Sequence, residues 1–250
     1  MNLLRGFLDN DSAFGRLMTR CWIIIACNVL FVLLTLPVVT IGPAWAAMDY
    51  VLLRTLRGDG DLNPLREFWK GFRMNFKQAF VCGLAILFLG GFLALEIYWC
   101  GQFGGVFQIF RLGLVMILSA VVILALYLFP VMAAFQGDVP TLLKHSLYFA
   151  FHRPLHLLTI VFFHVFPLFL TYSDLTNLPL YAFLWCFFGF GAVEMLSASL
   201  LLRDFVKYLP AVDQFGNFLT DEESGAEASD ESAAEKSEAE ILEEMRKLDM

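Results

Sequence analysis

NVLFVLLTLPVVTIGPAWAA, residues Asn28 to Ala47, decides the fold. The stretch ends one long apolar run, breaks between Pro37 and Pro43, and opens a second apolar run. Proline lacks the N–H that a helix interior needs and crowds the preceding turn, so Pro37 ends the first helix. Gly42 permits the tight turn. The hydroxyls of Thr35 and Thr40 can satisfy backbone groups freed by the break where no water is at hand. Asn28, Pro37, Thr40, Gly42 and Pro43 thus read as the structural motif of a membrane hairpin. Broken helices at membrane depth also build carrier binding sites, and that alternative stays open.

Composition points to a bilayer. The 250 residues are 59% hydrophobic and 16% charged, against about 25% charged in soluble domains. Mean hydropathy is +0.69, and Phe alone supplies 27 residues, more apolar surface than a soluble domain of this size can hide. The net charge of −7 resides in the tail: residues 216–250 hold 12 acids and 3 bases, a net −9, leaving +2 for the rest. The first apolar run is long and has no small-residue cleavage site, so it is expected to be kept as a membrane helix and not removed as a signal peptide. The five cysteines (Cys21, Cys27, Cys82, Cys100, Cys186) show no paired spacing and read as packing residues, with no metal and no cofactor implied.

A helix of about 20 residues crosses the roughly 30 Å hydrocarbon layer. Cys21–Val39, Ala79–Trp99, Leu112–Phe135 and Leu178–Leu202 are long enough. Leu155–Tyr172 is marginal because it carries His164 and Pro167, and Pro43–Leu56 is short. The expected fold is all-α: a polytopic transmembrane bundle of five long spans, plus one short helix forming a hairpin with the first. Lys and Arg gather on the cytoplasmic side of membrane proteins. If the short helix returns the chain, 16 of the 17 bases fall on one side and both termini are cytoplasmic. A short helix that only half crosses gives the same loop assignment. The organisation read from the chain is a cytoplasmic amphipathic segment at 1–20, a transmembrane domain at 21–210 and an acidic, largely disordered cytoplasmic tail at 216–250. Ile241, Leu242, Met245 and Leu248 fall at helical spacing near the end of the tail, either as a docking helix or as a helix that binds nothing.

Asn63-Pro64 reads as an N-cap followed by proline at the first helical position. Phe68, Phe72, Phe76 and Phe80 follow at i, i+4 spacing, interleaved with Arg66, Lys70, Arg73 and Lys77. Phe68, Phe72, Phe76, Lys77 and Phe80 form a candidate face that lies under headgroups or docks a partner. Packing of the same stripe against the protein's own helices is the equal alternative. A second amphipathic helix is expected over 140–153.

Asn28, LPVVTIGPA (Leu36–Ala44), Ala46-Ala47 and FWKGFRMNFKQ (Phe68–Gln78) together resemble the YesL family of bacterial membrane proteins. The resemblance covers about residues 10–205. It implies a polytopic helical protein of the bacterial cytoplasmic membrane, encoded near carbohydrate uptake and degradation functions, with no established biochemical activity.

Ionisable residues inside a bilayer are costly and draw attention as functional candidates. Asp49 lies in the short second helix, His164 in the fifth segment and Glu194 deep in the last. They form a candidate intramembrane polar site that could bind a sugar or relay a proton, with Trp22, Trp45, Trp99 or Trp185 stacking on a sugar ring. Interhelical hydrogen bonding is the bland alternative. His152 and His156 have metal-ligand spacing, but no third ligand is evident and Pro154 sits between them. No nucleotide-binding or hydrolase motif occurs, and no nucleic-acid partner is expected.

Two functions compete. The first is a non-enzymatic accessory protein that assists or regulates a sugar ABC transporter, with its permease or ATPase subunits as partners and the lipid bilayer as solvent. The second is a small stand-alone transporter or channel using Asp49, His164 and Glu194. Six helices are few for a monomeric carrier, so this reading carries a homo-oligomer with it. A permease proper is disfavoured, because Met132-Ala133-Ala134 lacks the Glu of the ATPase-docking signature.

Overall fold

Proline and glycine punctuation divides the chain into helices at the places where their physics requires it. The computed structural model describes residues 13–58 and 62–205, and every regular element among them is helical. The expected helix near the C-terminus and the first twelve residues lie outside the described residues. Helix α1 is Ala13–Thr35, α2 Ile41–Arg57, α3 Pro64–Cys100, α4 Val106–Ala134, α5 Val139–His152 and α6 Pro154–Ser173. Helix α7, Leu178–Leu184, runs through a π-helical segment, Trp185–Gly189, into α8, Phe190–Phe205. Five stretches are long and apolar enough to cross a membrane: Leu17–Thr35, Pro64–Cys100, Val106–Ala134, Pro154–Ser173 and Leu175–Phe205. No more than 28% of any of their most apolar windows is buried within the protein, so most of that apolar surface faces outward and requires lipid.

The break after α1 has the expected chemistry. A turn at Leu36–Pro37 leads into one 3-10 turn, Val38–Thr40. Thr40 Oγ1 donates to the Leu34 carbonyl, and Thr35 Oγ1 donates to the Val32 carbonyl at 3.0 Å. Pro43 sits in the first turn of α2, where its missing N–H costs nothing. Two members of the motif do other work. Gly42 is helical and no part of the turn, and it lies where α2 crosses α3. A Cβ added there would come within 2.2 Å of the Ala79 carbonyl oxygen, and one added at Gly83 within 2.8 Å of Gly42 Cα. Asn28 is two turns before the break and bonds to a different part of the bundle.

Helix α2 is the buried axis of the protein. From Ala44 to Arg54 every residue but Trp45 is buried. It lies along the first half of α3: Gly42 rests on Ala79 and Gly83, the Tyr50 ring covers Gly71, and Arg54 pairs with Glu67 at 2.6 Å. This packing takes the inner part of the aromatic stripe. Phe68 and Phe72 are buried against the protein's own helices, so they belong to no docking face. Phe76 and Lys77 are exposed and Phe80 is half-buried. The amphipathic stretch and the span that follows it form one 37-residue helix, about 55 Å long at 1.5 Å per residue. The first helix is likewise continuous from Ala13, so residues 13–20 are part of the first span's helix and form no separate segment. Asn63 caps α3 as its sequence position suggests, accepting from the N–H groups of Leu65 and Arg66 at 3.2 and 3.4 Å.

Helix α4 ends against this axis. Residues Ala125–Ala134 are all buried, Pro130 among them, and Trp45 stacks on Phe129 with ring centroids 5.3 Å apart. Met132-Ala133-Ala134 is therefore buried at the end of this helix. Helix α5 occupies Val139–His152. Beside it, Phe135, Phe149 and Phe205 form an aromatic cluster with centroids 4.8–5.9 Å apart. In the turn after α6, the Asn177 side-chain amide donates to the Asp174 carboxylate and holds it below the usual carboxylate range.

Candidate functional site

Three helices bring one polar side chain each to the interior. Helix α2 carries Asp49, α6 carries His164 and α8 carries Glu194. His164 Nε2 lies 2.9 Å from Glu194 Oε1, and His164 Nδ1 lies 2.9 Å from the Ile160 carbonyl oxygen. A carbonyl only accepts, so Nδ1 carries a proton and donates it. The contact between Nε2 and Glu194 then holds one further proton, either on the imidazole or on the carboxyl. In both arrangements the His164–Glu194 pair is neutral overall. Asp49 is fully buried, beside Glu194 and close enough for their charges to act on one another. With one proton between them, the Asp49 and Glu194 carboxyls stand close enough to hydrogen-bond to each other, and no other donor reaches Asp49. A buried carboxylate whose one donor is a proton shared with a second carboxyl is an expensive arrangement once that proton leaves. Asp49 is thus the group in this cluster that a proton or a cation would relieve most.

Beside the triad lies a cavity of about 360 Å³, within the roughly 300–1,000 Å³ usual for small-ligand sites. Phe31, Trp45, Trp185 and Phe190 wall it, and His164 and Glu194 are its ionisable lining. Met48, Ile41 and Leu168 complete much of the apolar surface. The lining contains no Lys or Arg. Asp49 is outside the lining and lies beside Glu194.

The walls are held by bonds that a periodicity argument does not find. Trp185 Nε1 donates to Thr171 Oγ1 at 2.9 Å, and Thr171 Oγ1 donates to the Pro167 carbonyl at 2.9 Å. The π segment is held by Asn28 from α1. Its Nδ2 donates to the carbonyls of Trp185 and Cys186 at 3.0 and 2.7 Å, and its Oδ1 accepts from the Gly191 N–H at 2.8 Å. A π segment interrupts the regular ladder and leaves backbone groups to be satisfied. One buried amide, fully enclosed, supplies both the acceptor and the donor that the interruption requires. Gly191 lets α1 approach: a Cβ there would lie 2.9 Å from the Ile24 carbonyl oxygen.

Of the sequence-read candidates, Asp49, His164 and Glu194 come together, and Trp45 and Trp185 stand at their cavity. Trp22 and Trp99 are exposed elsewhere. His152 and His156 lie on different helices, because α5 ends at His152 and Pro154 opens α6. His156 Nδ1 instead meets Asp204 Oδ2 at 2.9 Å, and Arg153 Nε meets Asp204 Oδ1 at 3.0 Å. Among the described residues no group of three His, Cys, Asp or Glu side chains is placed to hold a metal ion.

The α1–α2–α3 core, with Asn28, the break, Gly42 and Asp49, lies in the stretch that is similar to a known family. Residues 24–97 match the family described as "Protein of unknown function, DUF624". The match takes in Asp49 and ends before His164 and Glu194. The chain is also similar to the "Uncharacterized protein YteU" of Bacillus subtilis (strain 168), 25% identical over 146 residues, which is 56% of this chain and 66% of the relative. The chain thus spans just under two thirds of that relative's length. No solved structure matches. Fold and comparisons together describe a multi-span membrane protein of unknown function with a bacterial homologue.

Proposed function

We propose that this protein is a small membrane carrier which binds a solute in the cavity beside His164 and Glu194 and exchanges it for a proton of the Asp49–His164–Glu194 triad. The observation that carries this reading is the convergence of three ionisable side chains from three helices, with His164 and Glu194 lining one cavity and Asp49 buried beside Glu194 with no other donor in reach. Interhelical glue alone would satisfy its polar groups. The triad can be neutral with Asp49 protonated, or carry one negative charge with Asp49 ionised, so it has the two states that proton exchange requires. The lining holds no nucleophile beside a base, so the protein is read as a non-enzyme. The 16 bases on one side support an orientation with both termini in the cytoplasm of a bacterial cell.

A second reading is favoured by the outer face of α3, where Trp69, Arg73, Phe76 and Lys77 are exposed and Arg73 lies over the Trp69 ring at 5.0 Å. With the resemblance to YesL, that face supports an accessory protein beside a carbohydrate ABC transporter. The two readings separate in proteoliposomes containing purified protein and an internal pH dye, challenged with hexoses, amino acids and organic cations in turn. The carrier reading expects at least one solute class to move protons, with the response lost in Asp49→Asn. If no solute moves protons while the protein is demonstrably folded, the carrier reading is wrong.

A further inference from the structure

We infer that the ligand of this cavity is an organic monocation with an apolar body, not a sugar; the inference rests on the carrier reading above. Each hydroxyl of a hexose must find a partner on leaving water, and each unmet group costs about 1–3 kcal/mol. The cavity has few to offer. Both His164 nitrogens are engaged, by Glu194 and by the Ile160 carbonyl. Trp185 Nε1 is engaged by Thr171, and the Thr35 hydroxyl by the Val32 carbonyl. What remains in the lining is the Trp45 indole N–H, which has no partner, and the part of the Glu194 carboxyl that His164 does not engage. One donor and one carboxyl are too few for a hexose.

The same lining suits a cation. Aromatic faces attract a positive charge through their quadrupoles, most strongly where water is excluded. Four aromatic rings surround the cavity, with Trp185–Phe190 and Phe31–Phe190 centroids 4.8 and 5.3 Å apart. Glu194 stands at the wall with Asp49 behind it, and no Lys or Arg opposes them. The charged groups nearest in sequence on the other packed helices, Arg20 of α1 and Arg111 of α4, are exposed elsewhere, and Arg54 of α2 is paired with Glu67.

Charge balance sets the stoichiometry. With the His164–Glu194 pair neutral through its shared proton, the triad carries zero charge when Asp49 is protonated and −1 when it is not. A bound monocation restores neutrality when one proton leaves for solvent. Exchange is therefore electroneutral, one proton per cation, and no redox or covalent step is involved.

The test uses the full-length protein in detergent micelles and benzyltrimethylammonium as the probe. Its neutral carbon isostere and glucose are the comparators, and quenching of the tryptophan fluorescence is the readout. The inference expects saturable binding of the cation at least about tenfold tighter than that of the isostere, one tenfold step being about 1.4 kcal/mol. It expects no binding of glucose. In Glu194→Gln the preference for the cation over the isostere collapses; the isostere serves as the internal control that the cavity is intact. Equal binding of cation and isostere by the wild type overturns the inference, because the cavity would then select only for apolar character. Binding of glucose without the cation also overturns it, while leaving the proton-exchange reading open to the proteoliposome test. Failure of the folded wild type to bind the cation at all overturns it as well.

Discussion

Replacing Asn28 with Ala should be among the most damaging small changes in the protein. The side chain is fully buried and makes three hydrogen bonds to the backbone of the π segment and α8. Alanine leaves the Gly191 N–H and the Cys186 carbonyl without their Asn28 partner, and takes one donor from the Trp185 carbonyl. A buried backbone group left unsatisfied costs about 1–3 kcal/mol. Interhelical side-chain bonds in membranes average nearer 0.6 kcal/mol, roughly. Two orphaned groups and one weakened one therefore predict a loss of about 2–4 kcal/mol. The assay is unfolding by SDS titration in mixed micelles, followed by circular dichroism, with Val29→Ala on the neighbouring, half-buried position as the control. The same variant should loosen Trp185 and shift its fluorescence, because the π segment that Asn28 holds also carries this wall of the cavity. A change below about 0.5 kcal/mol, or no larger than that of Val29→Ala, would refute the argument, since surface-like substitutions fall in that range.

Gly42→Ala should cost about 1–3 kcal/mol through overpacking, since its Cβ would press on the Ala79 carbonyl at 2.2 Å. Gly91→Ala meets nothing within 4 Å and should be neutral or stabilising by up to about 1 kcal/mol, the difference in helix propensity; thermal unfolding of the two variants side by side checks both. His164→Ala and Glu194→Ala should be less than additive by about 1 kcal/mol in a double-mutant cycle, and strict additivity would deny their 2.9 Å contact. Arg54→Met should cost about 3–5 kcal/mol by leaving Glu67 without its partner at a largely buried site, whereas Arg54→Met with Glu67→Met should recover most of that loss.

Hydrophobic run length made the spans legible, because the bilayer sets a minimum helix length. The break at Pro37 was legible for the same kind of reason, since proline's covalent structure acts locally. Local rules could not tell where a glycine is used. Gly42 looked like a turn residue from its neighbours, yet its work is the approach to Gly83, 41 positions away in sequence. The aromatic stripe of α3 showed a helical period, but period alone does not say which part of the stripe meets α2 and which meets lipid. Phe68 and Phe72 went inward because Gly71 lets Tyr50 come close. The polar residues were individually visible as charges in apolar runs, and the cost of burying them explains why they gather. Their pairing, and the link between Asn28 and a π segment more than 150 residues away, depend on the tertiary fold. An extra residue in a helical turn leaves no mark in composition or period.

The most direct measurement counts protons. Purified protein in weakly buffered micelles, with a pH-indicating dye, is titrated with benzyltrimethylammonium to saturation. The charge balance of the Asp49–His164–Glu194 cluster predicts release of about one proton per protein and none from Asp49→Asn. Saturating binding without any proton release would contradict it.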